Sequence, residues 1–258
     1  WEGDAVLGVR ETGGEHGWVT GRAPAGYVRG TLLGELQGPD GAREGSAGRA
    51  EAALLRAGTA RTYEAGEIML LEGAADTFVL VLLNGFAKVT TTDDDGVSSL
   101  VDIRAAGDVT GETAAFDNEP RSATVTAAER VSVRRVSQDE WLAWLARHRI
   151  AGTAVSRSLA HRSRTAVRRR TQFTRGPVIA RLCRAVLDLT EQYGVPTPEG
   201  VSVRPGLSQA EWGEFIGARE RRVQHALREL RTAGAIGYGR RRLTVHSVPA
   251  LRGIAGLP

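Results

Sequence analysis

Two groups of residues in this sequence have the types and spacing for chemistry, and in both the chemistry is with phosphate. Within Gly107–Ala127, Gly111 and Glu112 fall on a tight turn, and Arg121 and Ser122 open an alternating strand, Ala123-Thr124-Val125-Thr126-Ala127. Glycine lets backbone approach a ligand closely, a guanidinium offers a fixed fork of donors to phosphate oxygens, and a hydroxyl adds one more. Glu112 brings a carboxylate that can accept from a sugar hydroxyl. These are parts of a sugar-phosphate pocket. Taken alone, they are also those of a β-turn and an edge strand with a surface arginine.

The second group lies near the C-terminus. Ser208-x-x-Glu211 has the spacing of a capping box, which predicts a helix from Ser208 and Gln209 through Trp212, Phe215 and Ile216. Gly217-Ala218 makes a turn, and a second helix from Arg219 buries Val223, Ala226, Leu227 and Leu230. It exposes Arg219, Glu220, Arg221, Arg222, Gln224, His225 and Arg228. Two short helices on a glycine turn, the second with a basic outer face, suit a helix-turn-helix that reads purine edges in the major groove. Ala235–Val245 then reads as a hairpin whose tip, Arg240, Arg241 and Arg242, forms a basic wing for the phosphate backbone. The plainer alternative is a helical hairpin with a solvated basic face.

The rest of the chain must position these groups. From Arg61 to Val136 short β-rich runs alternate with turn signals such as Asn84-Gly85, Asp95-Gly96 and Ala106-Gly107, the pattern of a sandwich or jelly roll. Ala47–Ala57 reads as a short helix before them. Gln138–Ala146 follows as a helix with a broad apolar face. From about Arg149 to Phe173 the positions Val155, Leu159, Arg162, Ala166, Arg169 and Phe173 recur in a four-three rhythm, an imperfect coiled-coil seam. Val178–Tyr193 has a clean apolar stripe between Pro177 and Gly194. Residues 1–46, rich in Gly, Glu and Arg, are expected to form an irregular extension.

At 258 residues, with 41% apolar and 25% charged, the composition is that of a soluble globular chain with room for two modest domains. No apolar run reaches the length of a membrane span, and a cytoplasmic location is expected. Residues 1–146 carry 13 basic and 23 acidic side chains, a net −10, whereas residues 147–258 carry 21 and 7, a net +14. The second half alone is therefore suited to a polyanion. The single cysteine, Cys183, sits at helical spacing among apolar residues, and the histidines show no metal-ligand spacing. The sequence has no metal cluster, phosphate-loop motif or nucleophile-base pairing, so no enzyme is expected.

The order of these segments resembles that of the cyclic-AMP receptor protein and fumarate-nitrate regulator family of transcription regulators, over about residues 47–248. Tyr63-x-x-Gly66, Gly73, Phe78-Val79-Leu80 and Asn84-Gly85 are similar to the early strands of cyclic-nucleotide-binding domains, and Gly107–Ala127 resembles that family's phosphate-binding cassette. The resemblance implies that Glu112 binds the ribose hydroxyl and that Arg121, Ser122 and backbone near Gly111, Thr113 and Ala123 hold a cyclic phosphate. On the long helix, where members place threonine and serine against adenine, this sequence has Ala166 and Val167, with Thr165 beside them. The readers that the family commonly has in its recognition helix fall on Glu220, Arg221 and His225.

The expectation is thus an α+β protein: an extension (1–46), a cyclic-nucleotide-binding-like β jelly roll (47–137), linker and dimerisation helices (138–176) and a winged helix-turn-helix domain (177–258). It is expected to be a homodimeric DNA-binding regulator controlled by cyclic AMP or cyclic GMP, with double-stranded DNA and RNA polymerase as partners and neither metal nor membrane. The alternative is a regulator of the same fold that works without a cyclic nucleotide.

Overall fold

The computed structural model describes residues 27–28, 30–37, 45–173 and 175–257. The first half runs α1 (Leu32–Gln37), α2 (Gly45–Arg56), β1 (Thr59–Tyr63), β2 (Ile68–Leu70), β3 (Val79–Asn84), β4 (Phe86–Thr92), β5 (Ser98–Ala105), β6 (Val109–Thr110), α3 (Glu112–Asp117), β7 (Thr124–Ala127) and β8 (Val131–Val136). The second runs α4 (Gln138–Arg147), α5 (Arg149–Gln172), α6 (Val178–Tyr193), β9 (Val195–Thr197), β10 (Gly200–Val203), α7 (Gln209–Ile216), α8 (Glu220–Thr232), β11 (Ile236–Gly239), β12 (Arg242–Val245) and α9 (Val248–Ala255).

Two antiparallel four-stranded sheets, β1-β8-β3-β6 and β2-β7-β4-β5, face each other. Alternation decides what each strand buries. On β3, Leu80 and Leu82 point between the sheets with Met69, Val89, Val125 and Val133, while Val79 and Val81 point outward under the helices with Trp141, Trp144 and Val155. A strand apolar on both faces is thus covered on both.

The outer layer includes a helix within the stretch expected to be irregular. α1 places Leu32, Leu33 and Leu36 in the same core as Val79 and Trp141, and Leu33 N–H donates to Gly107 O at 3.0 Å. Three leucines in six residues lack the length for a periodic signal, so tertiary packing rather than propensity makes this helix. The rest of residues 1–46 lies largely outside the described residues.

The long helix also departs from expectation. Of the seam residues, Val155 and Arg169 are buried against the chain's own domains, as is Phe173 just beyond the helix, whereas Leu159 and Ala166 face outward. The seam straddles the boundary between two faces. The outward stripe is Gly152, Ser156, Leu159, Ser163 and Ala166, itself in four-three alternation.

The C-terminal unit is a sheet, β11-β12-β10-β9, carrying α6, α7, α8 and α9. It closes against the jelly roll. A bulge where Val89 pairs Asp102 and Thr90 pairs Leu100 turns Val101 outward and brings Leu100 and Ile103 to one face. There, with Ala105, they join the core formed by Leu182, Tyr193, Trp212 and Phe215.

Candidate functional site

Gly111, Glu112, Thr113, Arg121, Ser122 and Ala123, separated in sequence, come together around one cavity of about 70 Å³. Gly111 has φ 84°, and a Cβ there would meet Arg121 Nη1 at 2.5 Å and Phe78 O at 2.9 Å. Glycine is required both by the dihedral and by the close approach. The expected turn after it is instead the first turn of α3, whose leading amides have no carbonyl partner within the helix.

Arg121 is almost wholly buried, with its side chain 2% exposed. Its Nε donates to Asp76 Oδ1 at 2.6 Å, Nη1 to Gly111 O at 2.8 Å and Nη2 to Phe78 O at 2.6 Å. The guanidinium therefore pins the cassette to the segment that leads into β3 as well as lining the cavity. Glu112 is buried, and its Oε1 lies 2.9 Å from Arg162 Nη2, an ion pair reaching in from α5. Arg162 Nη1 also donates to Val109 O at 3.2 Å. Thr165 is elsewhere: it lines a second cavity, of about 20 Å³, with Asp102, Asp108, His161, Arg162 and Tyr193. Ala166 and Val167 are exposed, Val167 at 64%, so neither faces its own chain's pocket.

In the sequence, Arg162 and Arg169 read as flaws in a seam. Their charge at seam positions is instead the signal of buried partners on the inner side. Arg169 Nη1 donates to Asp102 Oδ1 on β5 at 2.6 Å and its Nε to Asp188 Oδ2 on α6 at 2.9 Å. Burial works to raise the Asp102 carboxyl, but Arg104 and Arg169 outweigh it and hold it at about 2. Asp108 lacks such close pairing, and burial pushes it up to about 6 against the opposing charges of Arg104 and Arg162.

The helix-turn-helix forms as its sequence predicts. Ser208 caps α7, its hydroxyl accepting from Glu211 N–H while Glu211 Oε2 accepts from Ser208 N–H at 2.7 Å. Gly217 ends α7 at φ 62°, and Arg181 Nη1 donates to Ile216 O at 3.0 Å, which braces the turn. On α8, Val223, Ala226, Leu227 and Leu230 are buried, while Glu220, Arg221, Arg222, Gln224, His225 and Arg228 are exposed, as is Arg219 at its N-cap. Gln209 is half-buried. The wing turn is two residues, Arg240 and Arg241, at φ 47° and 64°, between the paired Gly239 and Arg242. Arg240, Arg241 and Arg242 line an open groove of about 700 Å³ with Arg204.

The C-terminal unit is docked on the jelly roll through other residues. Lys88 of β4 pairs with Glu211, which also accepts from Arg241, and Arg204 pairs with Glu129. Tyr193 donates to Ile103 O at 3.2 Å. These contacts join residues distant in sequence, and no local motif announces them.

A β jelly roll with a glycine-arginine cassette, joined through a long helix to a winged helix-turn-helix, defines the architecture of a DNA-binding transcription regulator. The cyclic nucleotide-binding domain matches residues 60–148 and the Crp-like helix-turn-helix domain residues 180–254. The CRP-like cAMP-activated global transcriptional regulator of Mycobacterium tuberculosis is 24% identical over 174 residues, 67% of this chain and 78% of the relative. Among solved structures, a CRP-family transcriptional regulator from Thermus thermophilus is similar at TM-score 0.66 and 23% identity, covering 76% of this chain and 96% of that one. The c-di-GMP responsive global regulator CLP of Xanthomonas campestris is similar in fold at TM-score 0.66 and 16% identity, covering 78% and 99%. The chain belongs to the CRP-like transcription regulators, which join a cyclic nucleotide-binding domain to a Crp-like helix-turn-helix. Among the described residues no helix is long and apolar enough to cross a membrane.

Proposed function

We propose that this regulator works as a homodimer whose jelly roll takes a cyclic nucleotide and whose two winged helices bind a near-palindromic DNA site. The observation that carries the reading is the convergence of Gly111, Glu112, Arg121 and Ser122 on one cavity beside α5. Phosphate is assigned to Arg121, Ser122 and the amides near Thr113 and Ala123, and the ribose hydroxyl to Glu112. DNA bases are assigned to the exposed face of α8 and phosphates to Ser208, Gln209, Arg219 and the wing. The outward stripe of α5, small residues around Leu159, supports close approach of a second copy along that helix. RNA polymerase is the protein partner proposed for such a regulator, and the cytoplasm its location.

A cavity of about 70 Å³ is below the roughly 300 Å³ that small-molecule sites ordinarily offer. Ligand entry therefore requires the cavity to widen, and a sugar hydroxyl that took up Glu112 would compete with its ion pair to Arg162, which is how occupancy would be felt by α5. The same observation favours a second reading, a DNA-binding regulator whose pocket stays closed. Calorimetric titration with cyclic AMP, and separately with cyclic GMP, decides between them. Saturable heat with either supports the sensor; none with both supports the closed pocket.

A further inference from the structure

Arg104 of β5 is the one residue common to the linings of the two cavities. On one side of it lie Arg121, Ser122 and Glu112; on the other lie Arg162 and Thr165 of α5. A nucleotide held by its phosphate at Arg121 and by its sugar at Glu112 has its base still to place. The cassette cavity's remaining wall is mostly Leu70, Val89, Ala114 and Val125, so Arg104 is the charged group left to meet that base.

Its chemistry is specific. Nη1 is tied to Asp102, while Nε is buried and has no hydrogen-bond partner among the described residues. A buried, fixed donor without an acceptor is costly until a ligand supplies one. Guanine presents two adjacent acceptors, O6 and N7, on one edge, whereas adenine presents N7 beside its own amino donor. A fork made of Nε and the neighbouring Nη2 meets both guanine acceptors, whereas against adenine one of its two donors faces the amino group. Ala166 and Val167 of α5 carry no hydroxyl and face away, and Thr165 lies beyond Arg104, in the second cavity.

We propose that Arg104 is a specificity residue that reads the base, and that the site takes guanosine 3′,5′-cyclic monophosphate in preference to its adenosine counterpart. The proposal rests on the cyclic-nucleotide reading of the cassette. Because Asp102 holds both Arg104 and Arg169, base contact is wired to α5 and, through Asp188, to the DNA-binding unit.

The test is calorimetric titration of the full chain with cyclic GMP, cyclic AMP and inosine 3′,5′-cyclic monophosphate, which keeps O6 and N7 but lacks the amino group. The wild-type protein should bind cyclic GMP about ten-fold or more tighter than cyclic AMP, with the inosine compound close to cyclic GMP. Arg104→Met should erase the difference and Arg104→Lys should keep part of it, while Asp102 stays paired with Arg169 in both. Cyclic AMP binding as tightly as cyclic GMP, or the inosine compound behaving like cyclic AMP, overturns the role of Arg104 and leaves the cassette intact. If none of the three binds, the cyclic-nucleotide reading fails and this assignment fails with it.

Discussion

Asp102 on β5 and Asp188 on α6 grip the same guanidinium, that of Arg169, at 2.6 Å and 2.9 Å. The three residues come from the sensing sheet, the long helix and the DNA-binding unit, and Arg169 is 5% exposed. A buried guanidinium held from both sides fixes the two units relative to each other, since parting them would strip a carboxylate from a buried charge. Movement of α5 therefore shifts the anchor of α6.

Arg169→Met should loosen this anchor without collapsing either core. Asp102 keeps Arg104 and Asp188 keeps Arg168, so neither carboxylate is orphaned. The expected loss is about 1–3 kcal/mol in urea unfolding, with faster hydrogen exchange at β5 and α6. Unchanged exchange would show that the other contacts between the units, the apolar packing of Leu100 and Ile103 and the Lys88–Glu211 and Arg204–Glu129 pairs, hold them without Arg169.

Arg121 is a structural residue as well as the residue proposed to hold the phosphate. Arg121→Ala strands the carbonyls of Gly111 and Phe78 and should cost about 2–4 kcal/mol, so loss of binding in that variant is ambiguous. Arg121→Lys retains charge but not the fork. It should weaken nucleotide binding at least ten-fold while melting closer to wild type than the alanine variant, as paired calorimetric titrations and thermal melts would report.

Arg221→Ala and Arg222→Ala should each weaken DNA binding. If each contacts phosphate, a substitution removes one contact from each copy of the homodimer and the slope of log K against log salt falls in magnitude by about 1.8. A variant that loses affinity for one sequence while keeping its slope marks a base contact instead. Full affinity in both at moderate salt would remove α8 from the groove.

The pH dependence follows from Asp108. Its folded pKa, about 6, lies above the unfolded value, so the folded chain holds this proton more tightly. The favourable contribution is complete below the unfolded pKa and is lost as pH rises through about 6. Asp108→Asn should flatten the stability profile between about pH 4 and 6 and stabilise the protein at pH 7 by on the order of 2 kcal/mol. Its amide oxygen can still accept from Ala105 N–H, as Asp108 Oδ2 does at 3.0 Å. An unchanged profile measured by urea unfolding would assign the pH dependence to other groups.

What was legible in the sequence was local. Period-two alternation marks β7, an unbroken apolar run closed by Asn84-Gly85 marks β3, the Ser208-Glu211 box marks the start of α7, and Pro177 with Gly194 brackets α6 within a residue at each end. Helix α1 was missed because three leucines make a helix only when Val79 and Trp141 are there to bury them. Arg121 and Glu112 were legible as cassette residues, but their partners Asp76 and Arg162 were not, because each pair closes a loop of about fifty residues or nearly so. Arg104 was unremarkable in sequence. Only the fold places it between two cavities.

The central claim is that the nucleotide pocket and the DNA-binding face are coupled through α5. The most direct measurement is the affinity of the full chain for a duplex selected from genomic fragments, with and without saturating cyclic GMP or cyclic AMP at fixed salt. Coupling through Arg162 and Arg169 predicts at least a five-fold change in affinity with the nucleotide that binds. Equal affinity with and without a nucleotide shown to bind would contradict it.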